Sequence, residues 1–389
     1  MVEITPEITD TLKLQGGRDL EHCYQCGTCT AVCPWNIQGT FSVRSLIHRS
    51  QLGLVDFSDE QIWKCVGCRS CVQACPRGVD IPAAVRSLRR VISEVGAGAI
   101  PRSLRTVAAN LAGTGNPMGE AAEARSRWVE EAGIRSFTAG TGLLLFTCCY
   151  HALDNRCRRV ALAMTEVLSA AQVDFGVLKD GLSCCGESIR KAGKEELFTT
   201  LASSNIRHLN EAGVRRILVG SPHCYNTLKD EYSEFGANFE VIHIVPFLDE
   251  LISADKLTPP AAVNKKVAYH DSCCLGRYQG IYDEPRRILN SIPGLELLEL
   301  PDNRANSLCC GGCSGGLWTE SKSGERLSEL RIKQAIDSGA DTLAVSCPYC
   351  LIMFEDAVLT SGYEGRIEVR DVVELVNESV RGGEATSLR

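Results

Sequence analysis

Two stretches of this chain repeat one cysteine register. Cys23, Cys26, Cys29 and Cys33 follow the spacing Cys-x2-Cys-x2-Cys-x3-Cys and precede Pro34. Cys65, Cys68, Cys71 and Cys75 repeat it before Pro76. Two intervening residues make a tight loop that aims three thiolates at three irons of one cube. The fourth cysteine, displaced by three residues and followed by proline, points away toward a second cube. The register therefore assigns one 4Fe-4S cubane to Cys23, Cys26, Cys29 and Cys75, and another to Cys65, Cys68, Cys71 and Cys33. Structural zinc on the Cys-x2-Cys pairs is the competing reading. Zinc takes four ligands per ion and has no use for an eight-ligand register.

The chain has 389 residues and 21 cysteines. None falls between residues 76 and 147, and thirteen lie from Cys148 to Cys350. A chain this long buries a core without disulfides, and an odd count excludes complete internal pairing. A formal net charge of −7 gives no general basic footprint for nucleic acid. No apolar run reaches the ~18 residues of a membrane span. The opening MVEITPEITD lacks the basic and apolar regions of a secretory signal. The expectation is a cytoplasmic, reduced protein whose cysteines serve metal binding or catalysis. Around the first eight, Val43, Leu46, Ile47 and Leu54 fall on one helical face. Val85, Leu88, Ile92 and Val95 make a second stripe after Pro82, and both read as core packing.

The remaining sequence repeats itself. A strand-like run Leu143–Phe146 ends near Cys148-Cys149, and Lys266–Tyr269 ends near Cys273-Cys274. Cys184-Cys185-Gly186 recurs as Cys309-Cys310-Gly311. Arg216–Val219 leads into Ser221-Pro222-His223-Cys224, and Thr342–Val345 leads into Cys347-Pro348-Tyr349-Cys350. Register marks at nearly constant offset indicate a duplicated unit. Alternating strand and helical segments indicate an α/β layer with a parallel sheet, and cysteines just past strand ends sit where such layers bind ligands. The expected organisation is α+β multidomain. A mostly helical two-cluster domain spans 1–100, with a turn-rich connector at 101–140. Two α/β units follow at 141–258 and 259–389.

In the second unit five thiolates, Cys273, Cys309, Cys310, Cys347 and Cys350, have the spacing to converge. Adjacent cysteines in a strand point to opposite faces, so both reach one site only if the backbone turns sharply, which Gly311-Gly312 permits. Zinc on Cys310-x2-Cys313 and Cys347-x2-Cys350 is the alternative, but it leaves Cys273 and Cys309 unexplained.

These motifs resemble the CCG-domain family of heterodisulfide reductases and their relatives, in the arrangement where a ferredoxin segment precedes two CCG units. The resemblance covers roughly residues 20–375. It rests on Cys-Tyr-Gln-Cys-Gly-Thr-Cys at 23–29, on the Trp63-to-Pro76 stretch, and on His270-Asp271-Ser272-Cys273-Cys274-Leu275-Gly276-Arg277. It implies a noncubane 4Fe-4S cluster on Cys273, Cys309, Cys310, Cys347 and Cys350, which would be the catalytic site. Cys274 becomes a spare, and Cys313 stands where relatives carry glycine.

The first unit departs from the pattern. Cys149, Cys184, Cys185 and Cys224 match, with Cys149 favoured over Cys148 by its distance to Asp154. Ser221 replaces the remaining cysteine, and a neutral hydroxyl is a poor ligand for iron. The site holds either a further iron–sulfur cluster, with His223 or Cys148 as substitute ligand, or nothing. Cys157 reads as structural.

The implied function is an iron–sulfur oxidoreductase subunit. It passes electrons from two cubanes to the noncubane cluster for disulfide or thiol chemistry. The alternative is a non-catalytic electron conduit in a flavoprotein- or quinone-linked complex. Either reading needs redox partners, a flavoprotein or a membrane cytochrome, and thus membrane association only through a partner. The chain carries neither GxGxxG after a strand nor GxxxxGK[ST].

Overall fold

A computed structural model of the chain describes residues 5–37, 39, 41–319, 321 and 324–382. In the N-terminal region both cysteine loops follow one path. Gln25 and Gly27 in the first loop, and Gly67 and Arg69 in the second, have φ of 66°, 87°, 62° and 64°. Two left-handed residues per loop coil the backbone around the thiols, and glycine takes one of the two positions in each. A one-turn helix follows each loop, Thr28–Ala31 and Ser70–Gln73.

Helix Val43–Gln51 begins at Ser42, whose hydroxyl accepts the Ser45 N–H at 3.3 Å. It buries Val43, Leu46 and Ile47, while Leu54 lies beyond its end, half-buried. Helix Ile81–Arg90 is capped by Asp80, with Pro82 in its first turn, and buries Val85 and Leu88. The expected stripe then breaks. The helix runs into a π-turn at Val91–Val95, where Ile92 is buried but Val95 is 70% exposed. A π-turn adds a residue and rotates the end of the helix off the apolar face.

The rest of the chain forms two four-stranded parallel sheets. The first comprises β1 (Leu143–Phe146), β2 (Phe175–Gly176), β3 (Arg216–Val219) and β4 (Glu240–His243). The second comprises β5 (Lys266–Tyr269), β6 (Glu296–Leu298), β7 (Thr342–Val345) and β8 (Glu368–Asp371). Their orders are β2-β1-β3-β4 and β6-β5-β7-β8, so the duplication is topological as well as sequential. The runs read from sequence match β1, β3, β5 and β7 residue for residue. Leu143–Phe146 and Thr342–Val345 are wholly buried, as strands covered on both faces must be. In each unit the chain steps outward from the first strand, then returns to its other side. The carboxyl ends of β1 and β3, and of β5 and β7, are therefore where the strand order reverses and a crevice opens.

The stretch at 101–140 is itself folded. It contains helices Arg102–Thr114 and Ala124–Glu131, and Ser136 bridges to Val177 beside the first sheet. The two units pack through helix Asn155–Ala170 of the first. From it Arg156 donates to Glu355 at 2.5 Å and to both Glu374 oxygens at 2.7 and 2.9 Å. Arg89, 1% exposed, ties all three regions together. Its guanidinium donates to the carbonyls of Ile62, Cys65, Lys191 and Ser314. Among the described residues no helix is long and apolar enough to cross a membrane.

Candidate metal centres

In the N-terminal domain Cys33 sits with the second motif. Cys33, Cys65, Cys68 and Cys71 line one small cavity. Burial pushes the Cys33 thiol up to about 12, with the neighbouring Cys68, Cys65 and Cys29 adding to the rise. Burial raises Cys71 too, beside Cys65, Cys68 and Cys33. Cys23, Cys26 and Cys29 neighbour one another, and the Tyr24 phenol faces both Cys26 and Cys75. Cys33 has thus crossed to the other loop, and Cys75 lies beside Tyr24 of the first. Polar groups point at the sulfurs: Gln25 Nε2 donates to Cys23 Sγ at 3.5 Å and the Val79 N–H to Cys75 Sγ at 3.4 Å. Four thiols around one cavity form a soft donor set suited to an iron–sulfur cluster.

The second CCG site is a ring of buried sulfurs. Cys273 contacts Cys309, Cys309 contacts Cys310, and Cys310 lies 3.4 Å from Cys350, which contacts Cys347. All five are at most 3% exposed. Gly311, at φ +90°, makes the turn that lets both adjacent cysteines face inward. The Gly311 and Gly312 N–H groups donate to Cys309 and Cys310 Sγ, both at 3.4 Å. Burial works against the Cys347 thiolate, but Cys350 and the His223 charge bring it down to about 6. Five buried sulfurs brought into contact form a soft donor set of the kind that iron–sulfur clusters use, so the residues fit a cluster.

Two further cysteines join this site. Cys313 Sγ lies 3.4 Å from Cys273 Sγ and 3.6 Å from Cys274 Sγ. His223, from the first unit, faces them with Nδ1 3.6 Å from Cys274 Sγ and Nε2 3.9 Å from Cys313 Sγ. Its ring also pairs with Glu187 at 3.1 Å and stacks on Tyr349 with centroids 4.2 Å apart. Of the two substitutes considered for Ser221, His223 is therefore directed away from the first site.

The second site also meets the N-terminal domain. Contact with Cys309 brings the Cys68 thiol down to about 6, with Arg277 assisting. Arg277 holds the junction: Nε donates to the Cys68 carbonyl at 2.6 Å, and Nη1 to the Ala305 and Ser307 carbonyls. Tyr278 Oη donates to the Gly67 carbonyl at 2.7 Å. Asp271 is a structural loop residue that accepts two bonds from Arg286 and the Arg304 N–H. His270 Nδ1 faces Arg331 at 3.2 Å, and its ring lies within reach of Cys310 and Cys350. A cavity of about 1290 Å³ opens over Cys310 and Gly311, walled by Trp35, Trp63, Arg102 and Trp318.

The first CCG site is a second sulfur ring. Cys149 contacts Cys184, Cys184 contacts Cys185, and Cys185 contacts Cys224, which contacts Cys148. Gly186, at φ +83°, turns the chain as Gly311 does, and its N–H donates to Cys184 Sγ at 3.5 Å. Arg125, in the 101–140 stretch, donates to Cys149 Sγ at 3.2 Å and to the Thr147 carbonyl at 2.5 Å. No cysteine spacing points to Arg125; an arginine on an otherwise packed helical face is the only signal. Cys157 lies outside the ring, fully buried, its sulfur 3.8 Å from the Pro348 carbonyl. His22 and His48 are exposed.

Comparison with known proteins agrees with this architecture. A cysteine-rich domain family named CCG matches residues 143–229 and 267–355, and a 4Fe-4S dicluster domain family matches 22–79. EtfAB:quinone oxidoreductase of Syntrophomonas wolfei is 34% identical over 82% of this chain. The chain spans about half the length of the first curated relatives it matches, 46% of that protein. The D-type subunit of dihydromethanophenazine:CoB–CoM heterodisulfide reductase from Methanosarcina barkeri is 27% identical over 98% of this chain and 99% of its own length. A hypothetical protein from Helicobacter pylori, with a TM-score of 0.51 at 11% identity, covers 99% of this chain and 74% of its own and shares the fold. With its dicluster ferredoxin domain and two CCG domains in series, the chain is a homologue of that heterodisulfide reductase subunit and of related iron–sulfur oxidoreductases.

Proposed function

We propose that the chain is the redox subunit in which electrons pass from two cubanes in the N-terminal domain to a noncubane cluster at the second CCG site, for thiol or disulfide chemistry. The observation that carries this reading is the contact between Cys68 and Cys309. It sets a ligand position of the second ferredoxin motif against the second CCG ring. Cys23, Cys26, Cys29 and Cys75 would hold one cubane and Cys33, Cys65, Cys68 and Cys71 the other. Cys273, Cys309, Cys310, Cys347 and Cys350 would hold the noncubane cluster. Bound there, the clusters supply one-electron transfer.

The protein's own part is ligation, water exclusion and charge. Arg277 sets a positive charge beside the sulfurs of Cys68, Cys273 and Cys309 and locks the junction by its carbonyl bonds. The cavity over Cys310 offers a small disulfide a route to the ring. The partners on this reading are a flavoprotein or a membrane cytochrome on the cytoplasmic side.

A second reading, a conduit between partners, is favoured by the near-complete burial of the five sulfurs and by the resemblance to a quinone oxidoreductase. A thiol titration of the anaerobic protein separates the two. Sulfur chemistry requires a small thiol to perturb the signal that Cys310→Ser removes. A conduit leaves every cluster signal unchanged.

A further inference from the structure

Ser221 is fully buried, its hydroxyl makes no hydrogen bond of normal geometry among the described residues, and it faces the Cys148 sulfur. In the second unit the matching position is Cys347, which closes its ring by touching Cys350. In the first unit the sulfur that touches Cys224, the counterpart of Cys350, is Cys148. It arrives from a different loop, the one after β1. The rings therefore contain the same number of sulfurs in the same order of contacts, although one ligand position in the first has lost its cysteine.

Arg125 gives a separate indication. Its guanidinium is 8% exposed and bonds to the Cys149 sulfur, with the sulfurs of Cys184 and Cys148 nearby. Its other bond goes to the Thr147 carbonyl at 2.5 Å, so one buried donor fixes the Cys149 sulfur relative to the loop after β1 that also carries Cys148. The loop that carries Cys184 is fixed as well: Asn205 Oδ1 accepts the Ser183 N–H at 2.8 Å, and the Cys184 N–H donates to the Gly115 carbonyl at 2.7 Å.

We infer that Cys148 supplies the fifth thiolate that Ser221 lacks, so that the first CCG unit holds an iron–sulfur cluster of its own on Cys148, Cys149, Cys184, Cys185 and Cys224. The inference rests on the proposed occupancy of the CCG rings by iron. Nothing in the ring distinguishes a structural cysteine at 148 from a ligand except exchange of the ligand position, and that is the test.

Four forms of the full chain are prepared anaerobically: the parent, Cys148→Ser, the double variant Cys148→Ser with Ser221→Cys, and Cys310→Ser. Iron and sulfide content and the Mössbauer spectrum are recorded. Cys148→Ser should lose about four irons per chain and one spectral component. The double variant should recover both, with its thiolate back on the loop after β3. Unchanged iron in Cys148→Ser overturns the inference, and so does a loss that Ser221→Cys fails to restore. Cys310→Ser tests the occupancy on which the inference rests: if it changes nothing, the proposed second-site cluster fails whatever Cys148→Ser does.

Discussion

In the first CCG unit the loop after β3 reads Ser221-Pro222-His223-Cys224, and in the second the loop after β7 reads Cys347-Pro348-Tyr349-Cys350. The backbone is shared: both loops follow a central parallel strand and open a helix at the proline. Both middle side chains reach into the other unit, and what differs is what they meet: His223 faces the sulfurs of Cys274 and Cys313, and Tyr349 packs edge-on against Tyr150, centroids 5.0 Å apart. The outer contacts differ too. The second ring abuts the ferredoxin domain through Cys68, while the first abuts helix Ala124–Glu131 through Arg125. Duplication has kept the strands and the glycine turns. The neighbours that press on the sulfurs have diverged, and only the second ring is touched by a ferredoxin cysteine, Cys68, among the contacts described.

The paired arginines offer the hardest test of that contrast. Arg277→Met strips the donor from three buried carbonyls and should cost about 4 kcal/mol in denaturant unfolding. It should also slow electron exchange between the ferredoxin and second-unit signals. Arg125→Met removes the donor from one carbonyl and one sulfur and should cost about 2 kcal/mol. Loss of its positive charge should lower the potential of any first-unit signal and leave the others in place. Equal costs, or a shift of the ferredoxin signals in Arg125→Met, would show that the two rings are not insulated in this way.

Arg156 joins the units to each other, so its loss asks whether they unfold as one body. Its side chain is 19% exposed and it meets two carboxylates of the second unit. Arg156→Leu leaves Glu374, only 7% exposed, with the looser Arg370 contact at 3.8 Å as its cation and should cost about 3 kcal/mol. Calorimetry should then resolve two transitions where the parent shows one. A single undivided transition would mean that the apolar contact between the units suffices.

The smallest effect belongs to His243, at the end of β4. It is fully buried, and burial holds its imidazole down to about 3. The unfolded chain takes up a proton near pH 6.5 and the folded chain does not, so stability is present above that pH and lost as the pH falls toward 3. The loss should reach about 2 kcal/mol by pH 5. Its Nδ1 accepts the Val245 N–H at 3.2 Å, so His243→Asn keeps a capping acceptor without a titrating group. Parent and variant should differ less at pH 5 than at pH 7, read from urea midpoints. A constant difference would remove His243 as the cause.

Much of this was legible because it is local. Cysteine spacing reports a loop that spans a few residues, and repeated motifs report a repeated sheet, so β1, β3, β5 and β7 and the five-cysteine set of the second unit follow from short stretches of sequence. Features that depend on distant segments were not legible. Arg125 carries no spacing signal, and the contact between Cys68 and Cys309 joins regions that share no periodicity. The distance to Asp154 favours Cys149 alone, whereas the three-dimensional path of the loop after β1 brings Cys148 to Cys224 and Cys149 to Cys184. Val95 failed for the opposite reason: a local rule of helical period was applied across a π-turn that violates it.

The Arg277-to-Cys68 bond joins residues 209 apart in the chain. The second ring closes only when Cys350 has emerged. A ribosome adding about 5–20 residues each second exposes the ferredoxin motifs many seconds before either the second ring or Arg277 exists. During that interval the surface around Cys68 is open to water. Cluster delivery to the second motif is therefore possible early, whereas the junction can be sealed only after synthesis of the second unit. Any maturation factor that needs access to Cys68 has a window that closes with the last sheet.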